Sequence, residues 1–95
     1  MTAVTQVMST VIVLLRKPSV LSTTGFGTTT LYRRISDGLF TRPVRIGSRL
    51  SAWPASEVEE LNCAIVAGKN DDEIRTLVQS LERVRTAESK NTAPA

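Results

Sequence analysis

Leu21-Ser22-Thr23-Thr24-Gly25-Phe26-Gly27-Thr28-Thr29-Thr30-Leu31-Tyr32-Arg33-Arg34-Ile35 is the stretch that decides the fold. It reads as the end of one helix, a glycine turn, and a second helix with a hydroxyl-rich start and two arginines. Gly25 suits the left-handed conformation that stops a helix. Leu31 and Ile35 stand four residues apart and share one face. This is the layout of a helix-turn-helix, whose second helix can enter the DNA major groove.

On that second helix, read over Thr28 to Asp37 with Gly38 as its stop, Leu31 and Ile35 fix the buried side. At about 100° per residue, Thr29 and Arg33 fall nearly opposite, with Thr30 and Ser36 beside them. The exposed ridge is then three hydroxyls and a guanidinium. Arg reads guanine O6 and N7 in a bidentate manner, and Thr offers a hydroxyl or meets a thymine methyl. Thr28 sits where free N–H groups and the helix dipole favour a phosphate. Tyr32 and Arg34 flank the ridge, within reach of the two DNA backbones. The competing account of this face is a solvated helix surface, but such surfaces mix acids with bases, and here the only acid is Asp37 at the far end.

Outward from this helix the chain is punctuated clearly. Met1 to Thr10 is Thr/Ser-rich and unpatterned, and is read as a mobile arm. Val11-Ile12-Val13-Leu14-Leu15 is β-branched and fits a short strand or an extended segment on the core. Pro18 opens the first helix, Pro18 to Thr24, which presents Val20 and Leu21. Leu39 and Phe40 extend the apolar set, and Arg42-Pro43 breaks it. Val44-Arg45-Ile46 and Leu50-Ser51-Ala52-Trp53 then alternate as two strands joined at Gly47-Ser48-Arg49. Such a wing places Arg45, Ser48 and Arg49 against phosphates or the minor groove. Trp53, at a strand end, is read as a core lid rather than a stacking platform.

Ser56-Glu57-Val58-Glu59 has the form of a capping box for a third helix. Its buried stripe is read as Val58, Leu61 and Ile65, with Val66 as an extra member, and Gly68 ends it. Asn70-Asp71-Asp72-Glu73 opens a fourth helix, with an Asn cap and acids at the positive helix end. Ile74, Leu77, Leu81 and Val84 form its apolar seam, and the tail from Thr86 to Ala95 is read as disordered. The domain expectation is an arm over 1–10, a winged helix-turn-helix over 11–67, a helix over 68–85 packed on the domain or at a dimer contact, and a disordered tail over 86–95. The fold class expected is mainly α with a small β-hairpin: four helices and a short N-terminal extended segment.

Bulk composition limits the function classes. The chain has 95 residues, 41% of them hydrophobic, enough for one small core. It has no His and one Cys, Cys63. That excludes an internal disulfide and a Cys/His zinc cluster, and leaves the thiol without a base to activate it. Cys63 is therefore read as a small core residue. No run approaches the roughly 18 apolar residues of a membrane span, and no basic region precedes Val11, so a cytoplasmic location is expected. No phosphate loop or paired carboxylates suggest catalysis. The expectation is a non-enzyme with no cofactor, no metal, no membrane contact and no small-molecule substrate. With only four aromatics, a stacking-based RNA reader is disfavoured.

Charge is divided unevenly. Residues 1–53 carry seven basic groups and one acid, net +6; residues 54–95 carry five basic groups and eight acids, net −3. One half suits a polyanion and the other suits solvent or a partner. Double-stranded DNA is the leading partner, with self-association on DNA left open. A protein-interaction module built on the acidic C-terminal helices is the alternative.

The spaced series Leu14-Leu15-Arg16, Pro18-x-Val20-Leu21, Thr24-Gly25-Phe26, Thr30-Leu31-Tyr32-Arg33, Gly38-x-Phe40, Arg42-Pro43-Val44-Arg45-Ile46-Gly47, Trp53 and Ser56-Glu57-Val58 resembles the AlpA family. These are small prophage and genomic-island regulators related to excisionases and to the winged-helix heads of MerR-type proteins. The resemblance covers roughly Leu14 to Leu61. It implies a winged helix-turn-helix acting as a transcriptional regulator of an integrase gene, or as a recombination directionality factor. By position it implies a recognition helix over Thr28 to Arg34 and a wing over Arg45 to Arg49. The chain departs from the family pattern at Gly27, where Ser is frequent, at Thr41, where Pro is frequent, and at Ala52, where Gly is frequent.

Overall fold

A computed structural model describes residues 11–92, with side chains described through Arg85. The element order is β1 (Leu14–Leu15), α1 (Lys17–Thr24), α2 (Thr28–Ser36), β2 (Val44–Arg45), β3 (Ser51–Pro54), α3 (Ala55–Val66) and α4 (Asp71–Thr92). The arm expected over 1–10 lies outside the described residues.

The turn between α1 and α2 is built by side chains as well as by glycine. Gly25 has φ 81° and donates its amide to the Leu21 carbonyl at 2.8 Å. The Thr24 hydroxyl donates to the Val20 carbonyl at 2.8 Å and accepts the Phe26 amide at 3.2 Å. Phe26 then meets Phe40 edge to face, with ring centroids 6.1 Å apart. Such a pair adds to its area burial because the ring edge is positive and the face negative.

α2 ends in a full Schellman motif. The Gly38 amide reaches the Ile35 carbonyl at 3.1 Å and the Leu39 amide reaches the Arg34 carbonyl at 2.7 Å, with Gly38 at φ 78°. This reversal delivers Leu39 and Phe40 into the core. Val20, Leu31, Phe40, Trp53, Val58 and Leu61 form its centre, each at most 1% exposed. Trp53 is the expected lid, and its indole N–H donates to the Thr41 carbonyl at 2.9 Å.

The expected hairpin forms. β2 and β3 run antiparallel with Val44 opposite Ala52 and Arg45 opposite Ser51. The sheet has a third member, however: β1 pairs antiparallel with the other side of β3, giving the order β1–β3–β2. Among the described residues the architecture is thus mainly α, with four helices and a small three-stranded sheet, and is consistent with a winged-helix-like fold.

Two expectations for α3 are corrected. The capping box at Ser56 does not form. α3 begins at Ala55, directly after β3, and its cap residue Pro54 makes no side-chain bond. The Ala55 amide at the helix start is taken by the carbonyl of Val13, the residue before β1, at 2.7 Å. The buried stripe of α3 is Glu57, Val58, Leu61 and Ala64, whereas Ile65 is 40% and Val66 87% exposed. The small Ala64 is buried, while Ile65, in the last turn of α3, is left half-exposed. The working capping box lies at α4: the Asn70 side chain accepts the Glu73 amide at 2.8 Å, and the Glu73 carboxylate accepts the Asn70 amide at 2.9 Å.

α4 buries Ile74 and Val78, with Leu77 and Leu81 packed beside them and Val84 exposed. Its backbone continues past Arg85 to Thr92, where a disordered tail was expected. Residues 93–95 lie outside the described residues. No described helix is long and apolar enough to cross a membrane.

Candidate nucleic-acid interface

α2 divides sharply between its two sides. Leu31 is fully buried and Ile35 half-buried against the core. Thr28, Thr29, Thr30, Arg33 and Ser36 are all exposed. The ridge assembled from the helical wheel is therefore one continuous solvent-facing surface. Its N-terminus is also open: Gly27 caps α2 with extended backbone and no side-chain bond, and its first turn carries no acid. The orphan amides there meet no side chain of the cap.

Tyr32 and Arg34 are placed differently from each other. Tyr32 is 46% exposed and lies under the ammonium of Lys17, 5.5 Å from the ring centroid, at the start of α1. Arg34 is only half-exposed; its guanidinium sits 5.1 Å from the centroid of the Phe26 ring. Its Nε is buried without a hydrogen-bond partner. Arg34 is thus stacked on the turn, and only its terminal nitrogens are in a position to serve a neighbouring anion.

In the wing, Arg45, Ser48 and Arg49 are exposed. Arg45 folds over the tip and donates to the Ser48 carbonyl at 2.8 Å. The Ile46 amide donates to the Leu50 carbonyl at 2.9 Å, which closes the loop. One arginine therefore braces the tip, while Arg49 makes no such bond among the described residues.

A second set of residues positions the wing relative to α2, and the sequence reading passed over it. The connector Asp37–Arg42 joins the two, and α4 holds both of its ends. Arg75 Nε donates to the Asp37 carbonyl at 2.9 Å. Glu82 accepts the Arg42 amide at 2.8 Å, and Arg85 donates to the Arg42 carbonyl at 2.6 Å. Arg85 is itself fixed by a bidentate pair to Glu57, both N–O distances being 2.7 Å. Glu57 is 4% exposed, so this ion pair is largely desolvated. The spacing Arg75, Glu82, Arg85 places all three on one side of a helix, which is the only local signal that could have revealed them.

Cys63, read as a core residue, is exposed. It lies on the wall of a shallow apolar hollow between α1 and α3, with Leu15, Thr23 and Val66. Across the hollow, the Asn62 side chain donates to the Thr23 carbonyl at 3.1 Å, tying α3 to the end of α1.

No match is found among curated proteins or among solved structures. A family model does match, over residues 13–61, which spans β1, the helix-turn-helix, the wing and most of α3. The chain belongs to the family of the prophage CP4-57 regulatory protein (AlpA).

Proposed function

We propose that this regulatory protein acts by binding double-stranded DNA in a sequence-specific manner. α2 enters the major groove. Thr29, Thr30, Arg33 and Ser36 meet base edges, while Thr28, Tyr32 and Arg34 meet the backbone. The wing residues Arg45, Ser48 and Arg49 take phosphates or the minor groove. The observation that carries this reading is the exposed, acid-free ridge of α2, whose one arginine without a fold partner, Arg33, stands among hydroxyls. A surface of that chemistry complements base edges and phosphates together.

The biological outcome proposed is control of a prophage or integrative-element gene, an integrase gene in particular, or excision of the element as a directionality factor. The protein-interaction alternative is weakened by α4. Of its seam, Ile74 is buried in this chain's own core and Leu77 and Leu81 pack against it, beside a buried Val78 outside the seam, so that Val84 is the seam residue left exposed to another chain.

Selection of bound fragments from random duplex DNA, followed by footprinting, tests the reading. Enrichment of one motif, lost or blurred with Arg33→Ala, supports it. Equal retention of all sequences by both proteins sinks it. Phased direct repeats beside an integration site favour excision, and a lone promoter site favours transcriptional control.

A further inference from the structure

β1 is the outer strand of the sheet, and no described strand lies beyond it. The register shows which of its residues face outward. Leu14 stands opposite Pro54, which has no N–H, and Leu15 stands opposite Trp53. Val13 accepts the Ala55 amide. Bonded and non-bonded pairs alternate along an antiparallel ladder. Val13 and Leu15 therefore turn their backbone groups toward β3, and Ile12 and Leu14 turn theirs to the open side.

That edge is apolar and solvent-facing. Val11 is 76%, Ile12 65%, Val13 55% and Leu14 43% exposed. Proteins usually blunt such an edge with a charge, a proline or a bulge, and Val11 to Leu15 holds neither a charge nor a proline. Beside it lies the hollow between α1 and α3, about 520 Å³, walled by Leu15, Cys63 and the protruding Val66.

We infer that this edge pairs antiparallel with the β1 edge of a second copy of the chain, about a two-fold axis at Val13. In that register Ile12 of each copy meets Leu14 of the other, so the outward amides and carbonyls of both strands find partners. Val13 faces Val13 at the non-bonded position, where opposed side chains approach most closely. Leu15 faces Val11 of the second copy, on the face that borders the hollow. A second copy fits better than a charged peptide because Val11 to Leu15 offers no charge to pair with. It is also self-complementary in this register, as a two-fold contact requires. The cationic Arg16-Lys17 of the two copies end up at opposite ends of the paired segment, so like charges do not meet. The interface uses β1 and the α1–α3 hollow, not the exposed ridge of α2, and it does not depend on DNA binding.

Sedimentation velocity of the full chain without DNA, across the micromolar range, tests this directly. A dimer whose fraction rises with concentration, and no larger species, is expected. Val13→Lys sets two ammonium groups against each other at the axis and should weaken the dimer about tenfold or more. Ile12→Pro removes an outward amide without touching the ladder to β3 and should act alike. Circular dichroism and thermal unfolding check that both variants keep the fold. In a Cys63→Ser background, Val13→Cys should oxidise readily to a disulfide dimer, because directly opposed non-bonded residues lie within disulfide reach. Ile12→Cys in the same background should cross-link poorly. A monomer at high micromolar concentration, a dimer indifferent to Val13→Lys, or open-ended oligomers would overturn the proposal.

Discussion

The arginines of the two halves of this chain have different fates. Arg75 and Arg85, on α4, are spent inside the fold: one holds the Asp37 carbonyl, the other holds Glu57 and the Arg42 carbonyl. Arg33 and Arg49, on α2 and the wing, stand in solvent with no side-chain partner among the described residues. The residue type is the same, and the difference is the supply of acceptors. The C-terminal half brings eight acids, and one of them, Glu57, is carried into the interior by the phase of α3. The N-terminal half has only Asp37. Guanidinium groups that cannot be neutralised within the fold remain available to a polyanion. Through Arg75, Glu82 and Arg85 the acidic half clamps the connector between α2 and the wing.

The most direct way to break this division is to remove the clamp. Arg85→Ala leaves the Glu57 carboxylate buried and unpaired, and frees one end of the connector. Stripping one partner from a buried ion pair costs about 3–5 kcal/mol, and a loss near the lower end is expected because Arg85 is 23% exposed. Urea unfolding at neutral pH measures it. A loss below about 0.5 kcal/mol, the scale of an exposed pair, would show that the two halves do not differ as described. The paired change Glu57→Leu with Arg85→Met should recover much of the stability, since an apolar substitute avoids desolvating charge.

The complementary change touches the basic half and should leave stability alone. Arg33→Ala should cost about 1–3 kcal/mol of DNA affinity at the preferred site and relax base preference at one position. Thermal unfolding should be unmoved, because Arg33 supports nothing in the fold. If unfolding shifts and affinity does not, the roles of the two arginine sets are reversed. Arg49→Ala should act more weakly and more evenly. Affinity should fall for all sequences alike, and the slope of log K against log salt should drop by about one.

Much of the basic half can be read directly from its residues. Gly25 and Gly38 bracket α2, and Leu31 with Ile35 fix its phase, so turn, helix and exposed ridge follow from local spacing. The acidic half was harder for a physical reason. Glu57 and Arg85 are 28 residues apart, and nothing local to either marks the pair. In α3, Val58, Leu61 and Ile65 are as well spaced for a buried stripe as Val58, Leu61 and Ala64. Hydropathy favours the larger Ile65, but it sits in the last turn of α3 and stays 40% exposed, while Ala64 is buried. Cys63 lies nearly opposite Val58 and Leu61 at about 100° per residue, which puts it at the surface. β1 was ambiguous because an apolar run of this length fits a strand or a packed segment, and only pairing with β3 decides.

Thr41 stands at the join of the two halves. It is fully buried and its hydroxyl has no hydrogen-bond partner, while its carbonyl serves Trp53. Thr41→Val keeps the shape and removes the unpaired hydroxyl, so a gain of about 1 kcal/mol in unfolding free energy is expected. DNA affinity should not change, since the connector's bonds to α4 run through Asp37 and Arg42. A loss of stability would mean that the hydroxyl is satisfied in solution.

The smallest expected effect tests the edge of the basic half where α2 begins. Gly27 has φ −82°, an ordinary value for any residue, and a Cβ built there meets nothing within 4 Å. The fold therefore does not require glycine at this cap. Gly27→Ser supplies the hydroxyl that the cap lacks and should stabilise the protein by a few tenths of a kcal/mol. Its effect on DNA binding should run the other way. The new side chain occupies the free amides at the helix start, the place where a phosphate would be received. A more stable protein with weaker binding at every sequence would assign the bare cap to DNA. A more stable protein with unchanged binding would restrict the interface to the ridge from Thr29 to Ser36 and the wing.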